Sequence, residues 1–232
     1  MLSAHTNCTQ ANLKDTSMQY YSNENIFHII DNGIKYYESL PPPSADFKTT
    51  LEINSDTMRN ISQTPCFGEG TILMLQNPLT KGYVHCKIEN IKKNDILFGS
   101  ATVLCVIKSK VGDHKVINIE DGVYITPYHP IVHLPGTQWT FPITRYENCI
   151  EVDTNVVYNL VLDKYHKVIL GTHASIIACT LGHGIDKDIV AHSYLGTDKV
   201  INDLKKLDGW NSGNIIISGI RRDYYGLICE MY

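Results

Sequence analysis

The chain has 232 residues, 43% hydrophobic and 19% charged, which at roughly 100 to 200 residues per domain means one domain with appendages or two small ones. Its 20 Lys and Arg against 24 Asp and Glu give a formal charge of −4, which leaves no broad basic surface for nucleic acid or an acidic membrane, so neither is an expected partner. No run approaches the ~18 to 20 uncharged apolar residues of a spanning helix, and the polar start over 1–10 lacks the apolar stretch of a signal peptide; a soluble, cytoplasmic protein is expected.

In chain order, residues 1–62 read as a polar N-terminal arm or the remnant of an upstream element. They carry the run Pro41-Pro42-Pro43 and one modest amphipathic helix over 24–38. From residue 63 to 185 the texture changes to short β-branched runs separated by turn residues. Strands are expected over 71–75, 82–88, 95–98, 101–108, 115–119, 123–125, 131–134, 156–162, 166–170 and 175–180. Turn signals stand at Asn77-Pro78, Lys93-Asn94, Val111-Gly112-Asp113 and Asp121-Gly122, the last being the best hairpin signal of the chain. Residues 186–232 form a C-terminal extension, with a helix over 198–207 and a strand over 214–220, too short to build a core alone. The fold class is all-β, with an α+β tail packed on the β body.

The seven cysteines (Cys8, Cys66, Cys86, Cys105, Cys149, Cys179 and Cys229) are odd in number and contain no Cys-x-x-Cys pair. That argues against a disulfide framework or a zinc cage and leaves room for a single working thiol. Cys66 stands where the polar arm gives way to the β body. A thiol at such a junction is placed to attack the carbonyl before it, converting the Pro65-Cys66 amide to a thioester, although a lone cysteine at the start of a strand is more often a small core residue. About sixty residues on, Thr126-Pro127-Tyr128-His129 follows an expected strand. A Thr-x-x-His turn can put a hydroxyl and an imidazole on one side of a loop, the first holding a carbonyl or amide N–H and the second protonating a departing nitrogen.

Cys66-Phe67 with 71–75, the segment 91–97, Ile125-Thr126-Pro127-Tyr128-His129-Pro130 and the strand 157–162 occur in an order that resembles the Hint (hedgehog and intein) fold. The likeness is closest to the Hint domains of proteins that also carry a von Willebrand factor type A domain, and extends through Trp139-Thr140-Phe141-Pro142, Leu181-Gly182-His183-Gly184 and Asp208-Gly209-Trp210. It covers about residues 56–225. No type A domain itself is recognisable in the chain. The resemblance implies self-processing: Cys66 as nucleophile on the Pro65 carbonyl, His129 as general acid for the scissile nitrogen, Thr126 as polariser, and the chain's own N-terminal segment as substrate.

The chain departs from that pattern in two places. Splicing inteins end in His-Asn, and the matching region here, Gly171 to Thr180, has no such pair, so N-terminal cleavage by hydrolysis or transfer is expected in place of splicing. Pro65 restricts approach to its own carbonyl and should make the reaction slow. Asp95 is expected to close a turn, while Asp113 and Asp121 are alternatives for assisting the thiol. His183 is the candidate for a second site. No Cys/His spacing matches a zinc pattern and no metal or other cofactor is expected. Two rivals stand beside self-cleavage: a catalytically inactive Hint-fold interaction module with a protein partner, and a cysteine peptidase acting in trans.

Overall fold

The computed structural model of the protein describes residues 64–110, 114–145, 151–186 and 189–232. The arm, its expected helix over 24–38 and the turn at 111–113 lie outside the described residues.

The regular structure of the described residues is mostly β-strand, with few helices. In chain order they form β1 (Phe67–Gly68), β2 (Ile72–Gln76), β3 (Tyr83–Lys87), β4 (Val103–Ser109), β5 (His114–Glu120), β6 (Val123–Ile125) and β7 (Ile131–His133). After the one-turn helix α1 (Pro142–Arg145) come β8 (Glu151–Thr154), β9 (Val157–Leu162), β10 (Lys167–Leu170) and β11 (Ile176–Cys179). Helix α2 (Asp198–Leu204) is followed by β12 (Asn214–Ile217), β13 (Ile220–Arg222) and β14 (Ile228–Met231). A seven-stranded sheet has the order β12-β4-β9-β1-β6-β5-β8, a five-stranded sheet the order β3-β2-β10-β11-β7, and β13 and β14 pair by themselves. All pairings are antiparallel except β12 with β4.

Most expected strands are present with ends shifted by a residue or two. The exceptions are 214–220, which ends at Ile217 before β13 begins at Ile220, and 95–98, which makes only the isolated bridges Leu75↔Leu97 and Ile96↔Thr102. The Asp95 carboxylate takes the Lys92 N–H at 2.8 Å and Ser100 N–H closes on the Leu97 carbonyl at 3.0 Å, so the segment is spent on two turns. Strand β8 was not legible because it is a charged edge strand with no apolar alternation. The Asp121-Gly122 hairpin joins β5 and β6 as expected. Gly122 has φ +72°, and a Cβ there would lie 2.5 Å from Ile72 Cδ1, so the turn requires glycine twice over.

Strand β9 is buried along its whole length. Its side chains alternate between two cores, as period-two geometry demands of a strand covered on both faces. Leu160 and Leu162 enter a core with Phe67, Leu73, Ile125, Leu170 and Ile176, whereas Val161 enters a second core with Ile107. That second core is closed by Tyr194, Leu195, Val200, Leu204, Ile215, Ile228 and Met231. Among the described residues no helix is long and apolar enough to cross a membrane.

Tyr194 ties the second core together. Its ring is buried, its hydroxyl donates to Asp203 at 3.1 Å, and the same oxygen accepts the Met231 N–H at 2.9 Å. Tyr194→Phe leaves a buried N–H without its partner, and the expected loss is about 1 to 3 kcal/mol of unfolding free energy. Urea denaturation of the two proteins checks this; coincident curves would mean that the hydroxyl contributes nothing.

Candidate functional site

The site is built where β1 slots between β6 and β9. Phe67 is opposite Ile125 on one side and Tyr158 on the other, with Gly68 opposite Val157. Gly68 lets the neighbours close in, since a Cβ there would meet Tyr124 Cβ at 2.9 Å. The residue before β1, Cys66, is thereby held between the end of β6 and the middle of β9.

Thr126 follows β6 and holds this segment by two contacts to Cys66 and one to Thr64. Its N–H donates to the Cys66 carbonyl at 3.0 Å, its Oγ1 accepts the Cys66 N–H at 2.9 Å, and its hydroxyl proton points to the Thr64 carbonyl at 3.4 Å. The next three residues form a β-turn: Pro127 supplies the fixed φ at its second position, and His129 N–H closes it on the Thr126 carbonyl at 3.1 Å. Ile143 N–H donates to the Pro127 carbonyl at 3.0 Å, so α1 steadies the turn from outside. Thr126 and His129 are both 1% exposed.

The imidazole of His129 stacks on Phe67, with ring centroids 4.6 Å apart. Its Nε2 lies 2.8 Å from the Cys179 carbonyl, an acceptor only, so Nε2 carries the proton and Nδ1 is the free lone pair. Nδ1 is buried without a hydrogen-bond partner, and the ring is close enough to the Cys66 backbone to feel it electrostatically, at a geometry short of a hydrogen bond. Burial pushes the His129 pKa down to about 4, against partial support from the Cys179 and Cys66 backbones. Burial likewise raises the Cys66 thiol to about 12, with a side-chain hydrogen bond from Asn159 pulling the other way. At neutral pH the pair rests as thiol and neutral imidazole.

Asn159 is the residue that sequence reasoning missed as a functional group. It sits in the middle of β9, 4% exposed, and its Nδ2 donates to the Pro65 carbonyl at 2.8 Å while its Oδ1 accepts the Leu160 N–H at 2.8 Å. The Pro65-Cys66 peptide is therefore gripped at its oxygen by Asn159 and at its nitrogen by Thr126. The signal was present: a single amide in the otherwise apolar run Val157 to Leu162 must find partners if the strand is buried.

The other candidates separate from this centre. Asp95 closes its turn as described, Asp121 is exposed in the β5–β6 hairpin, and Asp113 lies outside the described residues. Among the described residues it is the amide of Asn159, not a carboxylate, that contacts the thiol. His183 Nδ1 accepts the Ile185 N–H at 3.1 Å, and His192 Nδ1 accepts the N–H groups of Tyr194 and Leu195, both at 3.1 Å, so both rings close turns. Burial lowers each to about 4, and His183 is lowered further by the neighbouring charges of His166, Lys167, His129 and His192. Among the described residues no group of three or more His, Cys, Asp or Glu side chains could hold a metal ion.

The described residues thus form an all-β body in which β1 follows a buried thiol and a Thr-x-x-His turn lies against that residue's amide. The chain belongs to the Hint-domain family: the family model described as "Vint: Hint-domain" matches residues 65–230. No curated protein matches it. Among solved structures the chain is similar to a variant of the Ssp DnaB mini-intein, with a TM-score of 0.33 and 13% identity over 52% of this chain and 97% of that one.

The buried histidines predict acid sensitivity. A histidine held below its unfolded value of 6.5 contributes stability that is fully present above pH 6.5 and is lost as pH falls toward about 4. For His129 alone the span corresponds to a loss of the order of 3 kcal/mol. Urea midpoints should drop between pH 6.5 and 4, and His129→Gln should flatten that drop. A midpoint constant across the window, or an unchanged slope in the variant, would show that His129 does not govern it.

Proposed function

We propose that the protein is an autoprocessing domain that cleaves its own chain between Pro65 and Cys66, with residues 1–65 as the released segment. The reading is supported above all by the grip on that one peptide: Asn159 on the Pro65 oxygen and Thr126 on the Cys66 nitrogen. Membership of the Hint-domain family supports intein-like processing in general, and the motif order from Cys66 to Trp210 supports a kinship with Hint domains that accompany von Willebrand factor type A domains.

In this mechanism Cys66 Sγ forms a bond to the Pro65 carbonyl carbon as the thiol proton passes to His129 Nδ1. The carbonyl oxygen gathers charge against Asn159 Nδ2, which already stands at hydrogen-bond distance and strengthens its hold as the oxyanion forms. His129 then returns the proton to the Cys66 nitrogen, the C–N bond breaks, and a thioester joins Pro65 to Cys66 Sγ. Thr126 holds the nitrogen in line throughout. Hydrolysis or transfer of the acyl group completes N-terminal cleavage, and no terminal His-Asn is present at 171–180 for splicing. The rigidity of Pro65 and the high thiol pKa make the first step slow. That same high pKa favours the rival reading, a silent Hint-fold interaction module for a protein partner.

Intact mass spectrometry separates them. Cleavage gives fragments of roughly 7 and 19 kDa, in proportion to residues 1–65 and 66–232 of the 26.1 kDa chain. The Cys66→Ala chain should stay whole, and Asn159→Ala should slow cleavage by about 10²- to 10³-fold, the usual effect of losing one oxyanion donor. If the unaltered protein remains whole at pH 6 to 9 over a day, the silent module is the correct reading.

The rate should also be level across that pH range. The thiol titrates near 12 and the imidazole near 4, so neither changes state between pH 6 and 9, and the rate should fall only as acid protonates His129. A single-turnover profile with a step near pH 6.5 or 8.5 would mean that the reacting groups are not these two.

A further inference from the structure

We propose that water is the acyl acceptor and that the C-terminal tail makes it so, because strands β12 to β14 wall a water-sized cavity beside the scissile bond and leave no space for a larger nucleophile. This rests on the cleavage reading above and names the acceptor it leaves open.

The cavity has a volume of about 10 Å³, the lower limit for holding one water molecule. It is bounded by Thr64 and Cys66, the residues flanking Pro65, and by Asn159, whose amide holds the Pro65 oxygen. A water there stands beside the two residues that flank Pro65 and beside the side chain that holds the Pro65 oxygen. Ser109 also lines the space, so hydroxyl and amide groups are at hand to orient the molecule.

The rest of the lining is apolar, with Ile107, Val157 and Leu181 from the β body and three residues from the tail: Ile217 at the end of β12, Ile220 at the start of β13 and Met231 at the end of β14. Ile217 and Met231 are 2% and 5% exposed, and the flanking Thr64 and Cys66 are 7% and 4% exposed. A thiol such as cysteamine, or a longer alcohol or amine, would have to displace these side chains from a packed core. A larger hollow among the described residues, about 440 Å³ along Gly182, His192 and Thr197, is not lined by Cys66 or Asn159.

The step balances with water as sole co-reactant. The water oxygen bonds to the Pro65 carbonyl carbon, the C–S bond breaks, one water proton ends on Cys66 Sγ, and the other is released as the Pro65 carboxyl ionises.

The test is competition during single-turnover cleavage of the full chain in ¹⁸O-enriched water with excess cysteamine, followed by intact mass. The expected product is a segment 1–65 ending in a carboxylate with one ¹⁸O and little cysteamine amide. Met231→Ala or Ile220→Ala should raise the amide-to-acid ratio about tenfold, equivalent to removing about 1.4 kcal/mol of steric exclusion. Met231→Leu, which keeps the volume, should leave the ratio unchanged. Cysteamine amide as the main product of the unaltered chain overturns the proposal while leaving self-cleavage standing. An unchanged ratio in both alanine variants overturns the role of the tail. A chain that stays whole in every arm overturns the cleavage reading, and this inference with it.

Discussion

Everything at the site depends on a two-residue strand being clamped from both sides. β1 pairs with β6 at Phe67↔Ile125 and with β9 at Phe67↔Tyr158, and those pairings place the Pro65-Cys66 peptide between Thr126 and Asn159. Side chains on a strand alternate faces, so a slip of one residue would send Phe67 out of the main core and turn Cys66 away from both partners. The burial of Phe67, at 0% exposed, resists that slip. Its ring also supports His129, so the residue that sets the register also positions the imidazole.

The same burial sets the electrostatics, and it acts in two directions. Desolvation lifts the thiol to about 12 and depresses the imidazole to about 4, so the resting site holds no ion pair and the thiol is a poor nucleophile. Hydrogen bonds to a developing charge gain from the same dry surroundings. In the proposed reaction the contact from Asn159 to the Pro65 oxygen grows in value as the oxygen becomes an oxyanion. Under that reading the site keeps its thiol protonated at rest and its strongest interaction for the transition state, which suits a reaction performed once per chain.

Much of this was legible in the sequence because it is written in local chemistry. Thr126-Pro127-Tyr128-His129 is a turn by composition, and it is a turn in the structure, closed from His129 N–H to the Thr126 carbonyl. The Asp121-Gly122 hairpin and the helix beginning at Asp198 follow from a left-handed glycine and a threonine N-cap at Thr197. What escaped depends on long-range pairing. That Asn159 meets the Pro65 carbonyl, 94 residues away in sequence, follows from the order β9-β1-β6 in the sheet, which no local pattern encodes. Of the two aspartates considered for the thiol, Asp113 lies outside the described residues and Asp121 is exposed in its hairpin, while the group beside the thiol is the uncharged amide of Asn159. Helix α1 and the β13–β14 hairpin are too short to show a period.

The tail explains why β9 can be apolar on both faces. In a sheet with one solvated face Val161 would be polar; here it meets Val200, Leu204 and Ile215, supplied by the last forty or so residues. Strand β12 adds in parallel to the edge at β4, which is possible only because the intervening chain has crossed from the far sheet through α2. The tail therefore has two consequences that share one cause. By covering the outer face of β4 and β9 it completes the second core, and because Asn159 lies on β9, that cover reaches the edge of the Pro65-Cys66 peptide. Ile217 and Met231 belong to both the core and the cavity wall, so under the proposed reading packing and acceptor choice are coupled at those positions. Ile220 only packs against that core from its edge and is half-buried, which makes it the position where the wall can be opened at least cost to the fold.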